Sequence, residues 1–202
     1  LDKAEGNPFF LEEMARALIE GSGKADSVPD TVQGILMARI DRLPEEHKKL
    51  LRTVSVLGRE LPVELVRAIW DGSGDDLESL LDALQRWELL YKAPSEDQVI
   101  YFFRQALTQE VTYQSLLASR REKLHRRAAH ALEEIYAGRL EEAFDRLIYH
   151  YPRAAEPQKT VHYLTLFARQ AAEAYAHAEA TQALREALVQ AELFPEEERD
   201  RR

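Results

Sequence analysis

The first residues that invite a chemical reading are Gly21-Ser22-Gly23-Lys24. A glycine-rich turn ending in lysine can cradle a phosphate with its backbone N–H groups. A phosphate loop also needs a glycine five positions before the second glycine, and Ser or Thr after the lysine. Leu18 and Ala25 stand there instead, and no strand-like run precedes the segment. The stretch reads as a flexible linker. The six histidines are His47, His125, His130, His150, His162 and His177. No pair has the i, i+4 spacing of a helical zinc site, and the chain has no cysteine to complete one. His125 and His130 are five apart and fall on different faces of a helix. These histidines read as solvated or partly buried helix residues rather than ligands.

Carboxylates come in neighbouring pairs: Glu12-Glu13, Glu45-Glu46, Glu133-Glu134 and Glu141-Glu142. Neighbours on a helix diverge by ~100°, so no such pair can act on one bond. They read as solvated faces. Nothing resembles a nucleophile elbow or a catalytic triad. The sharpest charge feature is Arg120-Arg121-Glu122-Lys123-Leu124-His125-Arg126-Arg127. Such a run could meet phosphate or an acidic partner. A charged helix face, solvated or paired with carboxylates elsewhere, is the reading favoured here.

The elements that must position these residues are almost all helical by periodicity. Phe10, Leu11, Met14, Ala15, Leu18 and Ile19 repeat at helical spacing between Pro8 and Glu20, and a polar linker follows to Ser27. Asp30 with Gln33 has the form of a capping box, ahead of Ile35, Leu36, Ile40 and Leu43. Pro44 suits the first position of the next helix, which carries Leu50, Leu51 and Val54 towards Gly58. A short helix from Val63 to Trp70 comes next. Asp75 with Glu78 opens another, running to Trp87. Then the period changes. Leu89-Leu90-Tyr91 and Val99-Ile100-Tyr101-Phe102-Phe103 flank a polar turn with Pro94 and read as a β-hairpin, the only convincing strand pair.

Beyond Leu107 the pattern is helical again, with one or two helices up to Gly138. Another runs from Leu140 to Tyr149 and stops at Pro152. Thr160–Tyr175 and Ala178–Leu193 form an alanine-rich pair. Within it, Ala180-x3-Leu184-x2-Ala187-Leu188 resembles the second helix of a tetratricopeptide repeat. Three helices and then a hairpin is the order of a winged helix-turn-helix. The expected fold is therefore mainly α: a winged helix-turn-helix with a small β-hairpin, followed by a tetratricopeptide-like helical array.

Bulk properties set the outer limits. The chain has 202 residues, enough for one large domain or two small ones. It carries 36 acidic against 27 basic residues, a formal charge of −9, which argues against wholesale wrapping of nucleic acid or anionic lipid. No run approaches the ~18 apolar residues of a membrane span. The absence of cysteine excludes disulfide scaffolds and thiolate chemistry. In a DNA-reading winged helix the third helix makes the base contacts. Here that helix holds Asp75, Asp76, Glu78 and Asp82 against Arg86 alone, so phosphates would repel it.

Three segments, in order, resemble the STAND class of signalling ATPases found in bacterial regulators and in multidomain cyclases and kinases. Gly6-Asn7-Pro8-Phe9-Phe10-Leu11-Glu12-Glu13 looks like the Gly-x-Pro motif that opens the helical lid behind the nucleotide-binding core. Val28-Pro29-Asp30-Thr31-Val32-Gln33, with Arg39-Ile40-Asp41-Arg42-Leu43-Pro44 and Val56-Leu57-Gly58-Arg59-Glu60, is similar to the winged helix that follows the lid. Phe103-Arg104-Gln105-Ala106-Leu107-Thr108 through Tyr113 looks like the junction of the last wing strand with the helical arm.

The resemblance implies residues 1-27 as a lid remnant, 28-106 as the winged-helix domain and 107-202 as the arm. It also implies a nucleotide role for two residues, Pro8 against the adenine and Gln105 towards the phosphates. Relatives often carry histidine where Gln105 stands, and glutamine can donate a hydrogen bond but cannot become cationic. No catalytic or metal-binding residue is expected in this segment. The phosphate loop and the magnesium-binding acid would precede Leu1, so the segment alone should hold no cofactor and hydrolyse no ATP. The intact parent should bind ATP or ADP with magnesium in the cytoplasm. Expected partners are the parent's own nucleotide-binding core and a protein or sensed ligand on the arm. DNA and membrane are not expected. An array cut at Arg202 leaves an apolar end, through which a homo-oligomer is conceivable. A DNA-binding transcription regulator and a plain helical scaffold are the alternative readings.

Overall fold

The Thr31 hydroxyl accepts a hydrogen bond from the Gly34 N–H at 3.1 Å and so opens the first helix, α1 (Val32–Asp41). The N-cap expected at Asp30 is thus taken by Thr31, with Gly34 where a capping box would need Glu or Gln, and Asp30 itself lies outside the described residues. The computed structural model describes residues 31–72, 77–93 and 98–194. The expected lid helix, the glycine-rich linker, Asp75 and Asp76, and the charged C-terminal run lie outside these residues.

Pro44 caps α2 (Glu45–Val54) from just outside it rather than serving as its first residue. A 3-10 turn, Ser55–Leu57, closes that helix, and Gly58 at φ +90° turns the chain into β1 (Glu60–Pro62). This strand was not legible in the sequence: it is three residues long and ends in proline. Helices α3 (Val63–Ile69) and α4 (Leu77–Arg86) follow, then β2 (Leu90–Ala93) and β3 (Ile100–Phe103). The expected hairpin is thus the larger part of a three-stranded antiparallel sheet ordered β1-β3-β2. In its register Glu60 faces Phe102, and Phe102 faces Tyr91.

After the sheet come α5 (Ala106–Gln114) and α6 (Ala118–Ile135). A 3-10 turn at Leu140–Ala143 leads into α7 (Phe144–Arg153), followed by α8 (Pro157–Glu173) and α9 (His177–Ala191). Pro152 does not stop its helix as expected. It sits in the last turn of α7, which ends one residue later at Arg153. Pro157, in contrast, begins α8 three residues before the apolar pattern suggested, as an N-terminal proline can without losing a hydrogen bond. No helix of the described residues is long and apolar enough to cross a membrane.

Contacts divide the chain into two units. Residues up to Val63 with Asp71–Leu116 form the first, and Glu64–Trp70 with residues from Leu117 onward form the second. The first unit buries Ile35, Leu36, Leu50, Leu81, Leu84 and Phe103. The second is lined with smaller side chains. Ala168 and Ala171 of α8 meet Ala180, Ala183 and Ala187 of α9, with Leu164 beside them. Alanine lets two helices approach closely, and the short turn between Glu173 and His177 brings α9 back along α8.

Three helices end in the same way without glycine. Glu88, Ala155 and Tyr175 take the left-handed conformation one residue past the caps of α4, α7 and α8. In each case the two following-turn bonds form, as in Tyr175 N–H to Ala172 C=O at 3.1 Å and Ala176 N–H to Ala171 C=O at 2.8 Å. A non-glycine residue there is strained by about 1–2 kcal/mol, while glycine adds about 0.5–1 kcal/mol of chain entropy to the cost of folding. Strain relief wins. Tyr175→Gly should therefore raise stability by about 0.5–1 kcal/mol, read as a higher urea midpoint. A lowered midpoint would mean that the tyrosine ring, 84% exposed and edge-on to His177, contributes more than its backbone strain removes.

Candidate functional site

Of the two residues expected to face nucleotide, Pro8 lies outside the described residues. Gln105 is half-buried and holds the N-cap position of α5 with an extended backbone. Its side-chain oxygen accepts from the Thr108 hydroxyl at 3.4 Å, which leaves the amide N–H groups as the part able to donate to a ligand. The junction around it is firmly placed. One turn along α5, the Gln109 amide donates to the Ser55 carbonyl at 2.7 Å, so the 3-10 turn after α2 and the start of α5 hold each other. Beside Gln105, the exposed Arg104 lies 3.9 Å from Glu88. A glutamine amide on a fixed helix start is a hydrogen-bond donor of defined direction and no charge.

The histidines divide differently from expectation. His125 on α6 and His150 on α7 are fully buried, and their Nδ1 atoms lie 2.9 Å apart. One ring must carry the proton and donate, and the other must accept. Burial is the main reason both are held well below the usual imidazole range, with His125 at about 4. Arg153 and Arg121 add to the effect on His125. The charge on its partner, with Arg153 and Arg146, adds to that on His150. A cation is unwelcome among three arginines, and among the described residues no three His, Cys, Asp or Glu side chains gather as metal ligands. The pair is a structural bolt between α6 and α7.

Glu133 also departs from the solvated face expected of it. Its side chain turns inwards to α8 while Glu134, one residue on, stays exposed. The Glu133 carboxylate accepts from Lys159 at 2.6 Å and from the Tyr163 hydroxyl. Burial pushes this carboxyl up, but the hydrogen bonds from Lys159 and Tyr163, with the nearby Tyr151 hydroxyl, together outweigh it and hold its pKa below the ordinary value. The Tyr151 hydroxyl feels the same carboxylate electrostatically, although its geometry falls outside a formed hydrogen bond. Tyr151 and Tyr163 stack at 5.3 Å with nearly parallel rings. Burial and this carboxylate push both phenols far up, so neither is a base near neutrality.

The basic run on α6 is partly consumed in the same way. Arg126 donates to Glu156 at 2.7 Å, to Glu122 at 3.0 Å and to the Ala154 carbonyl at 2.9 Å, which locks the turn between α7 and α8. The paired reading of that run is the one the contacts support.

What the sequence did not single out is a groove within the second unit. Two adjoining hollows of about 390 and 420 Å3 share Ile148 of α7, Leu164 of α8, and Gln182 and Glu186 of α9. Phe167 and Glu179 extend the first; Arg153, Arg185 and Val189 extend the second. The floor is apolar and the rim is charged. Its only sequence signal was the Leu164–Phe167 spacing, indistinguishable from an ordinary core stripe. The arrangement can bind, but it brings together no nucleophile and base among the described residues. Compared with known proteins, the chain matches no family model and no curated sequence.

Proposed function

We propose that the chain is the regulatory portion of a STAND-type signalling ATPase, in which a winged helix acts as a nucleotide-state switch and a tetratricopeptide-like arm receives a partner or ligand. The observation that carries this reading is the order of elements from α1 to β3. Two helices, a strand, two helices and two strands succeed one another, with the strands paired in the order β1-β3-β2, and this succession supports a winged helix-turn-helix. Antiparallel helices joined by short turns then follow, as a helical-repeat arm requires. In the parent, ADP would hold the nucleotide core, lid and winged helix together. Exchange for ATP would release the winged helix, a two-state element biased by differential contacts. On this reading Gln105 would contribute to that contact as a neutral donor.

The surface of α4 supports a switch over a DNA reader. Glu78 and Asp82 are exposed, Asp82 accepts from the Tyr101 hydroxyl at 3.0 Å, and Arg86 is the only cation on the helix. The deciding experiment is ADP titration of the intact parent by calorimetry, alongside Pro8→Glu and Gln105→Ala variants. Both substitutions should weaken ADP binding, Pro8→Glu by about tenfold or more, since a charge against the base face costs upward of ~1.4 kcal/mol. Unchanged ADP affinity in both variants, or salt-sensitive duplex DNA binding by the chain itself, would defeat the proposal.

A further inference from the structure

We propose that the groove between α7, α8 and α9 docks one amphipathic helix of a partner protein, with an acidic residue at one end of its apolar face and a basic residue at the other. This rests on the reading of the helical arm as a partner platform and names the site and the chemistry it selects.

Helix α9 buries only Ala180, Ala183 and Ala187 among its residues, all against α8. It nevertheless carries Leu184, Leu188 and Val189 in the open, and Leu193 just beyond its end is exposed too. Five of the eight large apolar side chains exposed among the described residues lie between Tyr175 and Leu193. Of these, Val189 is the one that lines the groove, where it adds exposed apolar surface to Ile148, Leu164 and Phe167.

The groove follows α9 from Ala178 to Gln190, about 18 Å at 1.5 Å per residue, which is the length of a helix of about a dozen residues. A helical occupant suits it better than an extended one. The walls are helices whose backbone groups are already bonded, so an extended peptide would bring unsatisfied N–H and C=O groups onto an apolar floor. A helix brings none.

Charge sets the ends. Glu179 stands at the mouth near Phe167 and makes no ion pair among the described residues. Arg153 and Arg185 stand at the other end. The Arg153 guanidinium is fixed 4.0 Å over the Tyr149 ring and donates to the Tyr149 carbonyl at 2.7 Å. Arg185 has no ion-pair partner among the described residues. Between them the Gln182 amide donates to Glu186 at 2.8 Å, which neutralises none of the difference between the ends. An occupant with one sign at both ends would meet a like charge at one of them.

The test uses the full chain and three labelled 14-residue helical peptides that share one leucine face. One has glutamate at its first turn and lysine at its last; the others have glutamate at both ends or lysine at both. Fluorescence anisotropy should give the mixed-charge peptide roughly fivefold tighter binding than either like-charged one, the scale of two rim charge contacts. An Arg153→Glu/Arg185→Glu chain should shift the preference to the all-lysine peptide. Val189→Asp, at an exposed position that folding does not require, should weaken all three, with circular dichroism unchanged. Equal affinities, an unchanged order in the double variant, or indifference to Val189→Asp would overturn the groove assignment. None of these readouts involves nucleotide. Failure here with ADP titration behaving as expected removes the groove alone, and the reverse pattern removes the STAND reading.

Discussion

Replacing His150 with leucine should lower the unfolding free energy of the second unit by about 2–3 kcal/mol, because it strands a buried ring nitrogen of His125. The two Nδ1 atoms meet at 2.9 Å in a place solvent does not reach. A polar group that loses its partner there pays its full desolvation, whereas losing both rings together leaves nothing stranded. The His125→Leu/His150→Leu chain should therefore be less unstable than the sum of the single variants, by on the order of 1 kcal/mol. Additive single effects in urea unfolding would show that the contact is incidental.

The same pair makes a pH prediction with a definite sign. Both imidazoles are held below their unfolded value of 6.5, mainly by burial. The unfolded chain therefore binds protons first as pH falls. Stability from the pair is complete above pH 6.5 and is lost between there and about pH 4 for His125, and about pH 3 for His150. The slope can reach about 1.4 kcal/mol per pH unit for each histidine. Protonation of the accepting Nδ1 also places two N–H groups face to face and breaks the bond. Carboxylates cannot imitate this early loss, because Glu133 starts from 4.5 and is held lower still. Urea midpoints should begin to fall near pH 6 in the native chain and stay level to about pH 5 in the double leucine variant.

Why the sequence concealed this bolt is plain from its spacing. His125 and His150 are 25 residues apart, and only the packing of α6 on α7 joins them. Local periodicity places the helices and says nothing about which polar residues meet across them. The same periodicity did reveal the helix pair α8–α9, whose alanines repeat on one face, and the β2–β3 hairpin, whose residues are branched or aromatic. It missed β1 because three residues ending in proline carry no alternation, and their strand character comes from pairing with β3. Glu133 was half legible. The ~100° between neighbours separates it from Glu134, but nothing local says which of the two turns towards Lys159. The groove was least legible of all, since Leu164 and Phe167 spell the same stripe whether a helix covers them or not.

Arg39 shows the same limit in the first unit and carries the second large prediction. It lies in the last turn of α1 on the face that buries Ile35, Leu36 and Ile40, where the apolar pattern would place a leucine. Its guanidinium donates to the carbonyl of Trp87, which closes α4. The carbonyls one turn earlier are already taken, Leu84 by the Leu89 N–H and Gln85 by the Glu88 N–H. Trp87 is left facing inwards at the negative end of the helix, where a cation is favoured. Arg39→Met keeps most of the packing and removes the donor. Two effects then compete. Relief of the buried charge favours methionine, and a stranded carbonyl opposes it. The second should win, because a hydrogen bond to a charged group contributes about 1.5–3 kcal/mol and the carbonyl cannot turn to water without unwinding α4. Arg39→Met should therefore destabilise the first unit by about 2 kcal/mol, and Arg39→Lys should recover part of that, since lysine donates without the planar fork. If methionine leaves the urea midpoint unchanged, the Trp87 carbonyl finds water unaided. The hydrogen bond from α1 to the end of α4 would then add nothing to the stability of the first unit.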